Sequence, residues 1–92
     1  MKITASFHGI LADWIGSASA HFELPSNATH GDLMSAIHQR FKKNMPEQLW
    51  DQRKNRFVKE VIVSGKGEIS KILNIPLEDK ETVKFLLIIA GG

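Results

Sequence analysis

Cysteine is absent from the 92-residue sequence, and its absence excludes several kinds of chemistry. Disulfides, thiolate metal sites, iron–sulfur clusters and a cysteine nucleophile all need a thiol. No apolar run approaches the roughly 20 residues that cross a membrane. The start, Met1-Lys2 followed by alternating polar and apolar residues, does not resemble a signal peptide. We therefore expect a cytoplasmic protein that has no membrane partner.

Excess charge of one sign is also missing. The formal net charge is only +2, from 12 basic and 10 acidic residues, so the field of the whole molecule gives no argument for nucleic acid. The hydrophobic fraction of 42% and the charged fraction of 24% are those of an ordinary globular protein. At this length we expect one domain, residues 1–92, with a single small core.

Alternating apolar residues predict two strands at the start of the chain. Every second residue is apolar from Lys2 to His8 and again from Ala20 to Leu24, which is the period of a half-buried strand. The connection from Ile10 to Gly16 is expected to turn once, which gives a β-hairpin with a long loop. Three apolar side chains of this connection are expected under the sheet: Leu11, Trp14 and Ile15.

Helical spacing predicts one main helix over about residues 30–43. Thr29 is the expected N-cap, and Asp32 stands where an acid completes a capping box. Asn44 and Pro46 follow the helix and end it. The apolar positions that recur at helical spacing are Leu33, Met34, Ile37 and Phe41.

The second half of the chain predicts further strands. Residues 57–64 read as a third strand, residues 68–69 as a short return strand, and residues 82–88 as the last strand, whereas residues 44–57 are irregular. A mixed sheet with the helix across one face, and the last strand beside the first, would bury the apolar residues that recur at strand or helix spacing. The predicted class is α+β, a ubiquitin-like β-grasp sheet of four to five strands with one main helix.

The final segment joins an apolar run, residues 85–89, to Ala90-Gly91-Gly92. Glycine packs no side chain and loses the most entropy when it is fixed, so we expect a flexible tail. A narrow slot in a partner would favour such a tail, with the carboxylate of Gly92 leading. Two glycines at fixed positions arise by chance in roughly 0.5% of chains. A frayed terminus without a role is the alternative.

Three motifs together resemble the ubiquitin-like sulfur carriers of the MoaD/ThiS family. Residues 7–16, FHGILADWIG, are similar to that family's F-G-x-L-R-E-x-x-G pattern. Residues 76–85, PLEDKETVKF, are similar to its P-L-x-D-G-D-x-V-x-F pattern, and Ala90-Gly91-Gly92 matches its A/S-G-G end. The motifs stand in the family's order, and the likeness covers nearly the whole chain.

The sequence departs from the family's pattern at four places, and these differences put in doubt which partner enzyme recognises the protein. Ala12 stands where many members have Arg, and Lys80 where Gly is common. Leu87-Ile88 replaces a frequent Pro-Pro pair, and residues 64–67, SGKG, replace the usual V-N-G.

The resemblance implies a sulfur carrier that is not itself an enzyme and binds no cofactor. A partner of the ubiquitin-activating type would use ATP to adenylate the Gly92 carboxylate, and attack by sulfur would leave a thiocarboxylate. Ala90 and Gly91 would be small enough to thread the partner's channel. A second partner, a sulfur-accepting synthase subunit, would use the sulfur for molybdopterin or tungstopterin, or the sulfur would enter a thiazole of the thiamin type.

A docking surface is predicted on the sheet face away from the helix. Alternation along the last strand brings Leu86 and Ile88 out on that face, near Ile62, and an exposed apolar patch of this kind marks a contact surface. The alternative is that residues 44–57 cover the patch. The expected partner-binding residues are Ile62, Leu86 and Ile88, with Phe7 or His8 nearby.

Two other functions stay open. A ubiquitin-like modifier would join the same Gly92 carboxylate to lysines of other proteins. A passive interaction or RNA-binding β-grasp module would use a basic set that is otherwise a solvated face or a patch for an acidic partner. No aromatic residues interleave with this set, so nucleic acid is not expected as a partner. The histidines show no metal-ligand spacing. The basic set is Arg40, Lys42, Lys43, Arg53, Lys54, Arg56 and Lys59.

Overall fold

The computed structural model describes residues 1–65, 68–69 and 76–88. Its helices are Ile10–Ile15 (α1) and His30–Phe41 (α2), and a 3₁₀ turn spans Glu47–Leu49. Its strands are Lys2–His8 (β1), Ser19–Glu23 (β2), Trp50–Asp51 (β3), Arg56–Phe57 (β4), Val61–Gly65 (β5), Glu68–Ile69 (β6) and Thr82–Leu87 (β7).

Five of the strands in the described residues form one mixed sheet, in the order β2-β1-β7-β5-β6. The first and last strands lie side by side and parallel, with Ala5 opposite Val83 and Phe7 opposite Phe85. β2 and β5 flank this central pair in antiparallel directions. Helix α2 packs across one face of the sheet, and its Phe41 ring meets the Phe7 ring edge-on at 5.7 Å. The predicted β-grasp architecture is confirmed.

The core lies between this face and α2 because the strands alternate. Phe85 of the central strand β7 is fully buried, and its ring lies 5.6 Å from that of Phe7 and 5.4 Å from that of Phe57. The buried apolar side chains that β1 and α2 contribute are Ile3, Ala5, Phe7, Leu33, Met34 and Ile37.

Helix α2 begins at the predicted N-cap. The Asp32 carboxylate accepts a hydrogen bond from the Thr29 backbone N–H at 2.8 Å, and the Thr29 hydroxyl oxygen accepts one from the Asp32 N–H at 3.4 Å. This capping box is confirmed. The helix ends at Phe41, two residues before the predicted end, and the chain turns there with the Asn44 N–H donating to the Phe41 carbonyl.

The connection after β1 differs from its prediction in one side chain. It forms the short helix α1, which buries Leu11 and Ile15 one turn apart. Trp14 was expected under the sheet, but it is 39% exposed, as is Ile10. A helix this short has room for only one inward pair, and Leu11 and Ile15 fill it.

The third long strand starts later than predicted, at Val61 rather than Phe57. Phe57 belongs instead to a separate hairpin of β3 and β4, in which Trp50 pairs with it across the strands. The Trp50 ring stacks on His38 of α2 at 4.4 Å, and Phe57 packs on Phe85. The hairpin therefore covers the helix side of the sheet. The predicted return strand, β6, is confirmed.

Candidate functional site: an apolar cleft on the open sheet face

The sheet face opposite α2 carries exposed apolar side chains on its central strand. Leu86 is 43% exposed and Ile88 is 47% exposed, although both flank the buried core of β7. In register, Leu86 lies between His8 of β1 and Ile62 of β5. The structure therefore places Leu86 and Ile88 on the open face near Ile62, as the alternation predicted. Their role in docking stays a prediction.

Leu86, His8 and Ile62 line part of a shallow cleft of about 390 Å³, and Ile88 lies outside its lining. Ile62 and Leu86 supply its apolar lining, and the other lining residues are polar. The complete lining is His8, Ile62, Ser64, Lys84 and Leu86.

Phe7 does not belong to this surface, and its expected place among the docking residues is wrong. It is 3% exposed and lies with Phe41 and Phe85 in the core. Side chains alternate along β1, so a buried Phe7 turns the next residue outward. His8 is accordingly the β1 residue at the cleft, which was the other possibility that the sequence left open.

Residues 44–57 do not cover the patch. Their hairpin lies on the opposite side of the sheet, where Trp50 contacts His38 and Phe57 contacts Phe85. The cleft is open on the face that the hairpin leaves uncovered.

The last described residue, Ile88, leaves the sheet beside the cleft. Its backbone N–H donates a hydrogen bond to the Glu60 carbonyl at 2.9 Å. The predicted tail residues Ala90, Gly91 and Gly92 lie outside the described residues. Because β1 and β7 are parallel, Gly9 and α1, which follow β1, lie at the same end of the sheet as Ile88.

Sequence reasoning missed the contribution of α1 to this end of the molecule. A methyl group placed at Gly9, just before α1, would lie 3.9 Å from Leu86 Cδ1. The exposed Ile10 and Trp14 belong to α1 itself. Their spacing of four residues, beside the buried pair Leu11 and Ile15, was the available signal.

The basic set does not form a uniform surface. Arg40 Nη1 donates to the His21 carbonyl at 2.6 Å, and its guanidinium lies 3.9 Å above the Phe22 ring. Other members surround an open hollow of about 700 Å³ between the end of α2 and the β3–β4 hairpin, where Lys42 and Arg53 mix with Glu47 and Asp51. Acidic residues thus interrupt the basic ones. The aromatic ring in this region, Trp50, is 7% exposed and already stacked on His38.

Neither α1 nor α2, the α-helices of the described residues, is long and apolar enough to cross a membrane. Within residues 1–65, 68–69 and 76–88, no three histidine or carboxylate side chains are grouped closely enough to hold a metal ion.

Several solved structures share this fold over the whole chain. SAMP1 from Haloferax volcanii superposes with a TM-score of 0.85 at 16% identity, covering 100% of both chains. A putative molybdopterin converting factor subunit 1 from Pyrococcus furiosus gives a TM-score of 0.73 at 20% identity, covering 97% of this chain and 99% of that one. The complex of subunits 1 and 2 of the molybdopterin-converting factor from Helicobacter pylori 26695 gives 0.60 at 20% identity, covering 100% of both chains.

No protein-family model and no curated protein sequence matches the chain. At such low identities the structural likeness establishes the fold. The structures that share this fold include a MoaD-like subunit, as the sequence motifs indicated.

Proposed function

We propose that the protein is a sulfur carrier that is activated at the Gly92 carboxylate and docks on its partners through the cleft of the open sheet face. One observation carries the proposal. Leu86 of the central strand β7 and Ile88 just after the strand expose apolar side chains, in the stretch of sequence that leads to Ala90-Gly91-Gly92. Apolar side chains that are grouped on an open sheet face, as these are with Ile62, are typical of a contact surface.

The proposed chemistry needs nothing from the carrier except its carboxylate. An oxygen of Gly92 attacks the α-phosphorus of ATP in the partner's active site, and pyrophosphate leaves. A hydrosulfide-type nucleophile then attacks the acyl carbon, loses its proton and expels AMP, which leaves a thiocarboxylate. The carboxylate is a poor acyl donor, so adenylation supplies the leaving group that the second step needs.

Two partners are proposed. The first is an adenylating enzyme of the ubiquitin-activating type, which would bind the cleft and receive the tail. The second is a sulfur-accepting synthase subunit, and support comes from the Helicobacter pylori complex, in which a chain of the same fold is assembled with subunit 2 of a molybdopterin-converting factor.

The test is intact mass spectrometry of the protein recovered from its own cells and of the purified protein incubated with the host's adenylating enzyme, ATP and sulfide. We expect a fraction in which one carboxylate oxygen of Gly92 is replaced by sulfur. The matched control is the variant that lacks Gly91 and Gly92, which should fold alike and acquire no sulfur. The same spectra measure whether Gly92 carries the free carboxylate.

Two results would contradict the proposal. Gly92 found joined to lysines of other proteins, and never as a thiocarboxylate, would establish a ubiquitin-like modifier. A variant without Gly91 and Gly92 that keeps full function in the cell, together with salt-sensitive binding of the protein to RNA, would establish a passive module that uses its basic set.

A further inference from the structure

Lys84 lies on the open sheet face at the border of the apolar cleft. It is exposed on the central strand β7, two residues before Leu86, so both side chains point to the same side. Its partners across the sheet are Ser6 of β1 and Ser64 of β5. The ammonium group and the apolar lining of Ile62 and Leu86 therefore belong to one surface.

Within the described residues, the three central strands present no carboxylate on this face. Hydrogen bonds on the face link hydroxyls to imidazoles: the Ser6 hydroxyl lies 3.0 Å from His8 Nε2, and Thr4 pairs with His21 in the same way. The side chains that share the open face of β1, β5 and β7 are Lys2, Thr4, Ser6, His8, Ile62, Ser64, Thr82, Lys84 and Leu86.

Three acidic residues lie near this face in register. Glu68 of the edge strand β6 is opposite Gly65, which has the parity of the buried Val61 and Val63 rather than that of Ser64. The other two lie at the two ends of the face. Glu23 of β2 is opposite Lys2 at the far end of β1. Glu60 precedes β5 beside Ile88, and it is four residues before Ser64, or about 13 Å along an extended strand. Among the described side chains on the open face of β1, β5 and β7, Lys84 therefore has no carboxylate beside it.

A partner that covers the cleft also removes water from the Lys84 ammonium group and must compensate for that loss. Burial of Ile62 and Leu86 is favourable, but it removes water from the ammonium group at the same border. An ammonium that loses water without gaining an ionic partner opposes binding strongly. The serine hydroxyls on either side replace its hydration poorly, since one of them already bonds to His8.

We propose that Lys84 is the polar anchor of the docking surface, and that the partner recognises it with a carboxylate placed next to an apolar side chain that fills the cleft. The identity of the partner as an adenylating enzyme rests on the proposed function, but the chemistry of the contact follows from the cleft alone. The apolar side chain supplies affinity, and the ion pair fixes the orientation in which the sheet docks.

The experiment compares the affinity of three variants for the purified adenylating enzyme of the host, by isothermal titration calorimetry. Lys84→Met keeps the length and the apolar stem of the side chain but removes the charge, and Lys84→Glu reverses the charge. Lys43→Glu is the matched control, because it makes the same change in net charge at an exposed lysine just past the end of α2.

We expect Lys84→Met to weaken binding about tenfold and Lys84→Glu to weaken it at least about 30-fold, whereas Lys43→Glu stays within about twofold. An acidic-to-lysine change in the partner that restores binding of Lys84→Glu would identify the carboxylate. Unchanged or tighter binding by Lys84→Met would overturn the inference, as it would show that the ammonium swings out into water. Equal losses in Lys84→Glu and Lys43→Glu would also overturn it, because the effect would then be one of net charge.

Failure of this inference and failure of the proposed function give different results. If the wild-type protein acquires sulfur at Gly92 but Lys84→Met binds like wild type, only the anchor is wrong. If the wild-type protein binds the enzyme through Lys84 but never acquires an adenylate or sulfur, the anchor stands and the carrier function fails.

Discussion

Single residues in the turn before β7 tie the two ends of the chain together. The Asp79 carboxylate accepts a hydrogen bond from the Lys2 backbone N–H at 2.8 Å. That hydrogen bond is the main cause that holds the pKa of Asp79 below its ordinary value; desolvation opposes it, and the N-terminal ammonium and Lys80 add to it. The Lys80 N–H in turn donates to the Lys2 carbonyl at 2.7 Å. Both backbone groups of Lys2, its N–H and its carbonyl, therefore bond to this turn and hold it against the start of β1.

The backbone of Lys80 is strained in this turn, and relief of the strain predicts a stabilising substitution. Its φ is 67°, in the left-handed region, which costs a residue with a Cβ about 1–2 kcal/mol. Lys80→Gly removes that strain and loses part of the gain to chain entropy, so we expect the free energy of unfolding to rise by about 0.5–1 kcal/mol. Urea denaturation measures the change.

Lys80→Ala is the control for this prediction, because alanine keeps the Cβ and should gain nothing. A Lys80→Gly variant that is less stable than the wild type would show that the lysine side chain contributes more than the strain removes. Glycine is common at this position in the family that the sequence resembles, which agrees with the backbone conformation observed here.

Elements that repeat their apolar spacing several times could be predicted together with their buried face. Of the two-residue strands only β6 was predicted, because a glycine-rich turn precedes it in the sequence. β1, β2 and α2 repeat their apolar residues often enough to define both the element and its buried face. The strands β3 and β4 have two residues each, which is too short for any alternation to show. α1 is apolar on two sides, so the pattern placed Trp14 under the sheet together with Leu11 and Ile15, although only the last two are buried.

The start of α2 depends on the capping box, which gives a prediction at the scale of the element. Thr29→Ala removes the hydroxyl that accepts from the Asp32 N–H and should lower the free energy of unfolding by about 1 kcal/mol. Thr29→Ser keeps an oxygen at the same place and should lose only a few tenths of that. Thermal unfolding followed by circular dichroism measures both variants, and equal losses in the two would rule out the hydroxyl as the cause.

The first and last strands, β1 and β7, form the parallel pair at the centre of the sheet, so the fold depends on contacts between residues far apart in the sequence. The same arrangement explains how far the candidate site could be predicted. Alternation placed Leu86 and Ile88 on the open face, because strong apolar residues at Val83 and Phe85 fix the parity of β7. In β1 the sequence left Phe7 and His8 open, and only the packing of Phe7 on Phe41 and Phe85 decides between them.

One side of β7 therefore faces the core and the other faces the cleft. Substitutions at two adjacent residues should affect stability and binding separately. Phe85→Ala empties a fully buried site beside Phe7 and Phe57 and should lose about 3–5 kcal/mol of stability. That is a large share of the roughly 5–15 kcal/mol that holds a domain folded. Leu86→Ser, one residue along, changes a side chain that is already 43% exposed and should alter stability by less than about 1 kcal/mol.

The binding of the two variants should follow the opposite order. Leu86→Ser is expected to weaken association with the adenylating enzyme at least about tenfold, because an apolar anchor at the centre of a contact carries much of its affinity. Phe85→Ala, measured at a temperature where it is still folded, should bind nearly as well as the wild type, since its side chain faces away from the cleft. Urea unfolding followed by tryptophan fluorescence, and calorimetric titration of both variants, separate these outcomes. If Leu86→Ser binds like wild type, the open face of β7 is not the docking surface, whatever the tail does.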